Sequence, residues 1–409
     1  MTLILADFIL TCNENFDIIK KGAVFFDKEI KAIGSQEEFL DTYKKATIIH
    51  TPPHTVLMPG LINPHVHLEF SANRSTLKYG DFIPWLQSVV AYREELLERA
   101  KGNVVKETID AMIKSGTTTF GAISSFGLEL EDCINTPARV VFFNEVLGSR
   151  PDTIDVLFGD FKHRLRVSQE SANARFIPAI SVHAPYSTHP ILARNTLDIA
   201  RKEKLLVSTH FMESKAERAW IDKGEGKFAD FFLQFSQNAS PMCNSLEYLD
   251  LFYGTSPLFT HAVQATDKER ELISQLGGTI THCPRSNRLL GTGLFDLKKT
   301  LESEINFTLG TDGYSSNNSL SLWDEMRTAL MSHQNINLEE LSKILIQGVT
   351  TNSAKALKIQ SGELEIGKNA DIIAITLPES PKEISQLPLA LILYAKETIY
   401  TFIEGEIVK

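Results

Sequence analysis

His65 and His67, two residues apart, stand directly after the apolar run 56–62. A run of that kind, punctuated by Pro59 and Gly60, reads as a buried strand. Side chains alternate along extended chain, so both imidazoles of a His-x-His project to one side. Two neutral imidazoles converging at a strand end make half of a metal site. The other half follows in order. Run 176–182 precedes His183, 205–209 precedes His210, 257–260 precedes His261, 278–281 precedes His282, and 305–311 precedes Asp312. A single histidine at a strand end is ordinarily structural. Six strand ends behaving alike form a pattern.

Three histidines with an aspartate suit a divalent ion such as zinc or ferrous iron. Such an ion acidifies a bound water, making it a nucleophile near neutral pH. A two-metal site needs a bridging anion, typically a modified lysine at the end of the fourth strand. Residues 181–187 contain no lysine, so one ion is expected. Glu213 lies three residues after His210. If a helix begins there, its carboxyl is placed to act as general acid toward a leaving or ring nitrogen; the alternative is a carboxylate favouring a helix N-terminus. His261 and Asp312 can share the deprotonation of water. His67-Leu68-Glu69 superficially matches the His-x-Glu of the small nucleoside-deaminase fold. The Pro-Cys-x-x-Cys partner is absent, which excludes that fold.

These residues need a frame that brings strand ends together. Runs 117–121 and 139–144 raise the strand count to eight, and helical patterns lie between them at 85–100, 104–114, 190–204, 268–276 and 320–332. A further helix starts at Leu338, where Asn337 and Glu340 match a capping box. Eight strands alternating with helices point to an α/β (β/α)8 TIM barrel, whose active site lies at the C-terminal strand ends. A doubly wound sheet would instead carry a glycine-rich turn after its first strand. Short strands at 2–11, 22–27, 29–33 and 46–50, and again at 371–376, 399–403 and 406–408, suggest a small β-sandwich domain built from both termini. The expected division is 1–54 with 360–409 for that domain and 55–359 for the catalytic barrel. The aromatic-rich stretch 228–253 is expected to be irregular and to pack over the site.

The 409 residues are 43% hydrophobic and 22% charged, as in ordinary globular chains. A net charge of −10 argues against a nucleic-acid partner, though not against a small anion held by a local arginine. No apolar stretch approaches the ~20 residues of a membrane span, and the first ten residues lack a basic leader. Cys12, Cys133, Cys243 and Cys283 are scattered, suggesting neither a disulfide framework nor a thiolate zinc site. The cytoplasm is the expected compartment.

The chain resembles the metal-dependent amidohydrolase superfamily, in its branch of purine and S-adenosylhomocysteine-type deaminases and chlorohydrolases. The resemblance rests on Met58 to His67, Ala184-Pro185-Tyr186-Ser187, His210-Phe211-Met212-Glu213, Thr281 to Asn287, Gly310-Thr311-Asp312-Gly313 and Gly362 to Asp371. It implies that His65, His67, His210 and Asp312 hold one divalent metal ion, zinc (Zn2+) before iron (Fe2+). Glu213 and His261 become proton shuttles. His183 becomes a contact to the substrate's sugar or ring, with Glu69, His282 and the Asn287 loop also in the pocket. Within the branch, the chain is most similar to deaminases of the futalosine route to menaquinone, whose substrate is an adenine nucleoside bearing a benzoate. A benzoate requires a cation, for which Arg150 and Arg285 are candidates. The alternatives are deamination of S-adenosylhomocysteine or methylthioadenosine, a chlorohydrolase, and a guanine deaminase. The implied partner is a small-molecule nucleoside, with no nucleic acid or membrane, and a homodimer is compatible with the sequence.

Overall fold

The computed structural model describes residues 1–234 and 239–409. The chain forms two compact units, Met1–Pro64 with Ile109–Phe120 and Ser321–Lys409, and His65–Thr108 with Gly121–Leu320. No helix among the described residues is long and apolar enough to cross a membrane.

In the first unit, strands from both ends of the chain share one eight-stranded mixed sheet. The strand Thr2–Leu10 pairs antiparallel with Ile18–Phe26 and parallel with Thr47–His50 and Thr55–Pro59. The strand Ile372–Thr376 joins from the other end, antiparallel to Thr55–Pro59. The two-residue period sorts its side chains to opposite faces. Ile4, Val24, Phe26, Leu57, Ile372 and Phe402 form one apolar cluster, and Leu3, Leu5, Ala23, Phe25 and Phe39 another. Phe39 belongs to a short helix, Gln36–Thr42, capped by Ser35. That helix escapes a periodicity reading because it buries only this one residue.

The barrel strands are β1 (Leu61–Val66), β2 (Thr117–Ser124), β3 (Arg139–Val146), β4 (Phe176–Val182), β5 (Val207–Phe211), β6 (Leu258–His261), β7 (Thr279–His282) and β8 (Asn306–Leu309). They lie side by side in chain order, the singly wound topology of a (β/α)8 barrel. Past the end of β8, the Asp312 amide donates to the His65 carbonyl at 3.2 Å, bringing the last strand end to the first.

The run 56–62 is not one strand. It breaks at Gly60 into Thr55–Pro59 of the mixed sheet and Leu61–Val66 of the barrel. A side chain at Gly60 would place its Cβ 2.2 Å from Thr118 Oγ1, so only glycine lets the chain cross there.

Three helices of the second unit bear on the site. α1 (Phe82–Arg99) is capped by Asp81, and α2 (Lys215–Lys223) by Ser214. α3 (Lys227–Leu233) opens the aromatic stretch expected to be irregular. That stretch also holds the helix Ser245–Asp250, while residues 235–238 lie outside the described residues.

Thr118 is fully buried and β-branched, so it yields little. Gly60→Ala should therefore destabilise the protein by about 1–3 kcal/mol, seen as a lower melting temperature. An unchanged melting temperature would show that this crossing tolerates a side chain.

Candidate active site

β1, β5, β6 and the segment after β8 each deliver one or two polar side chains to a single buried cluster. Ligand-capable atoms of His65, His67 and Asp312 all lie within 4.8 Å of one another, as do those of His65, His210 and His261. His67 Nε2 and His210 Nε2 are 3.2 Å apart. Asp312 Oδ1 is 3.8 Å from His65 Nε2 and 3.7 Å from His67 Nε2. Two nitrogens each about 2.1 Å from one tetrahedral ion stand about 3.4 Å apart, so these spacings fit a shared ion.

The ring orientations are set from behind. His65 Nδ1 faces Thr260 Oγ1 at 3.1 Å, His210 Nδ1 faces the His183 carbonyl at 2.9 Å, and His261 Nδ1 faces Asn287 Oδ1 at 2.9 Å. Each outer nitrogen that donates its proton there leaves Nε2 with a lone pair for the cluster. Burial, with the imidazoles of His183 and His67, pushes His210 down to about 3. Burial and His67 push His183 down to about 3. Neutral imidazole is the form that binds a metal.

Asp312 is held as an anion. Burial acts to raise its pKa, but the imidazoles of His67, His261 and His65 and the Ser316 hydroxyl together hold it well below the usual range. Its Oδ2 accepts from Ser286 Oγ at 2.8 Å and Ser316 Oγ at 2.6 Å. Gly313 allows the approach, since a Cβ there would lie 2.6 Å from the His67 carbonyl oxygen. Met212, His261, Ala262 and Asp312 all have φ between 47° and 71°. Non-glycine residues in that region each store about 1–3 kcal/mol of strain, here concentrated on the loops that aim the site.

Glu213 precedes α2 rather than lying within it. Glu217, one turn into α2, accepts the backbone amides of Met212 at 3.1 Å and Glu213 at 2.7 Å, fixing the turn that presents Glu213. The Glu213 carboxyl lies 3.6 Å from His261 Nε2. Burial above all, with the charges of Asp312 and Glu217, raises its pKa well above the ordinary value. Its protonated form is therefore favoured to higher pH than in an ordinary carboxyl.

A cavity of about 320 Å³ opens on the cluster, lined by His67, Glu69, His183, His210, Glu213, His261 and Asp312 among others. Phe231 and Phe232 of α3 line it too, so the aromatic stretch does lie against the site. Glu69 Oε1 accepts the amides of Ser125 and Phe126 at 2.9 and 2.8 Å, which ties it to the loop after β2. Three expected residues are not brought to the cavity. Arg150 is exposed and paired with Asp152. Arg285 bonds to Asn317 and Asn318 in the loop after Asp312. His282 is buried behind the site, accepting from Asn287 Nδ2 at 3.1 Å and stacking on Phe295.

The amidohydrolase family model matches residues 56–408. The chain belongs to this family. Amidohydrolases are typically metal-dependent hydrolases, and the cluster described above can hold a metal. The chain is 44% identical to aminodeoxyfutalosine deaminase from a Nitratiruptor species over 389 residues, 95% of each chain. It is 35% identical to adenosine deaminase from Helicobacter pylori, over 98% of each. The crystal structure of Helicobacter pylori aminofutalosine deaminase in complex with methylthio-coformycin matches with a TM-score of 0.95 at 33% identity, over 100% of both chains.

Sequence reasoning missed Glu217, Thr260, Ser286 and Ser316, which touch the cluster's residues rather than the cavity. One signal was available: Ser286 and Asn287 are adjacent in the short Pro284–Leu289 helix that directly follows the end of β7. Thr260→Val removes the group facing His65 Nδ1 while keeping the side chain's shape. Metal affinity measured by chelator competition should fall about 10–100-fold; an unchanged affinity would show that Thr260 does not orient this ligand.

Proposed function

We propose that this amidohydrolase is a cytoplasmic deaminase that converts 6-amino-6-deoxyfutalosine to futalosine and ammonia, in menaquinone biosynthesis. The observation that carries the chemistry is Glu213, a buried carboxyl with a raised pKa, set beside a cluster of histidines and one aspartate. The substrate reading is supported by the 44% identity to an aminodeoxyfutalosine deaminase across nearly the full length of both chains. The four free cysteines suit a reducing compartment.

His65, His67, His210 and Asp312 would hold one divalent ion, with zinc favoured by three nitrogens and one carboxylate oxygen. When bound, that ion acidifies a water molecule. Glu213 donates its proton to a purine ring nitrogen, making the amino-bearing carbon more electrophilic. The water's oxygen bonds to that carbon while Asp312 and His261 take its proton. His261 is suited to this because burial keeps its imidazole neutral and Asn287 holds its outer nitrogen. The proton taken from the water passes to the amine, the carbon–nitrogen bond breaks to release ammonia, and the hydroxyl left on the carbon returns its proton to the Glu213 carboxylate as the carbonyl forms. His183, its Nδ1 at 2.5 Å from Ser187 Oγ, and Glu69 contact the nucleoside beyond the ring.

Glu213→Gln keeps the shape but removes the transferable proton. It should lower kcat by about 10²–10⁴ with metal content intact, and activity that survives would exclude the assigned role. The acid form of Glu213 exists below its raised pKa and is lost as pH climbs through it. The wild-type rate should therefore fall on the alkaline side, and a residual Glu213→Gln rate should lack that limb. For the substrate, kcat/KM should be highest for aminodeoxyfutalosine among itself, S-adenosylhomocysteine, methylthioadenosine and adenosine. A clear preference for one of the other three would replace the substrate and leave the deamination standing.

A further inference from the structure

The cavity wall is acidic and apolar along most of its length. Glu69 and Glu145 both line it, the first held by backbone amides and the second by the Ser125 and Ser181 hydroxyls. Neither group offers a substrate carboxylate a positive charge. Among the described lining residues, Arg93 is the one lysine or arginine.

Arg93 is placed by α1. Trp85, Val89 and Arg93 follow at four-residue steps and all line the cavity, so one stripe of the helix faces it. Trp85 anchors the near end, its indole Nε1–H donating to the Ser315 carbonyl at 2.8 Å, three residues beyond Asp312. Eight residues of helix then carry the chain about 12 Å to Arg93. The Arg93 guanidinium lies over the Phe126 ring, 4.9 Å from its centroid, and among the described residues it makes no ion pair. Phe126 is 41% exposed, so this end of the cavity opens outward. An aromatic ring beneath a guanidinium offers an apolar seat beside a fixed positive charge.

We propose that Arg93, resting on Phe126, forms an anion subsite that receives the carboxylate at the far end of the nucleoside's 5′ substituent. It is then the residue that selects a carboxylated nucleoside over a neutral one. The assignment rests on the proposed orientation, with the purine at Glu213 and the metal ligands. It gives Arg93 the part for which Arg150 and Arg285 were candidates; Arg150 already binds the Asp152 side chain and Arg285 those of Asn317 and Asn318.

The test compares kcat/KM for aminodeoxyfutalosine, which carries the carboxylate, and methylthioadenosine, which does not. Arg93→Met should lower the ratio of the two by about 10–100-fold, the scale of one charge-assisted hydrogen bond. The loss should appear in KM for the carboxylated substrate, with kcat nearly retained. Arg93→Lys keeps the charge without the planar fork and should recover part of the ratio. A wild-type preference that survives Arg93→Met, or that collapses in Arg150→Met or Arg285→Met instead, overturns the assignment and leaves the substrate reading intact. A wild-type enzyme with no preference for the carboxylated nucleoside overturns both.

Discussion

Four imidazoles and one carboxylate aim their lone pairs into a single buried space, and the second unit of this chain is organised around holding them there. Groups so arranged oppose one another unless a cation lies between them. The cost is visible in His65 and His210, whose charged forms are suppressed by burial and by the neighbouring imidazoles. It is visible again in the left-handed backbone of Met212, His261, Ala262 and Asp312. Strain of that kind persists only where the surroundings over-determine it. Here the parallel strands do so: the Ala262 amide donates to the Phe211 carbonyl at 2.9 Å and the Gln264 amide to that of Met212 at 2.8 Å, locking the ends of β5 and β6 together.

The hydrogen-bonding layer behind the cluster decides what each group can do. Asp312 receives two serine hydroxyls on one oxygen, leaving the other toward the histidines. Asn287 links His261 to His282, so a histidine outside the cavity still bears on one inside it. Glu217 shapes the turn under Glu213 without facing the substrate. Proton-transfer partners held this way need little reorganisation as charge develops.

The strand ends were legible in the sequence because the buried barrel strands read as short runs rich in apolar and β-branched residues, and a histidine or aspartate closes several of them. This placed His65, His67, His183, His210, His261 and Asp312 without any knowledge of contacts. The break at Gly60 was not legible, because two consecutive buried strands of different sheets read as one apolar run until Thr118 is seen beside them. Ser286, Ser316 and Thr260 were equally silent, since a hydroxyl's importance depends on what it faces. The arginines show the same limit. Arg150 and Arg285 are near the site in sequence but are turned to Asp152, Asn317 and Asn318. Arg93 sits in the middle of an ordinary-looking helix, and only the direction of its stripe brings it to the cavity.

The central claim is that this convergence is a single-metal site. Anomalous X-ray scattering from crystals of the protein supplied with zinc tests it most directly. The account predicts one peak, about 2.0–2.2 Å from His65 Nε2, His67 Nε2, His210 Nε2 and Asp312 Oδ1. No peak at these residues with zinc or iron supplied, or two peaks within the cavity, would contradict it.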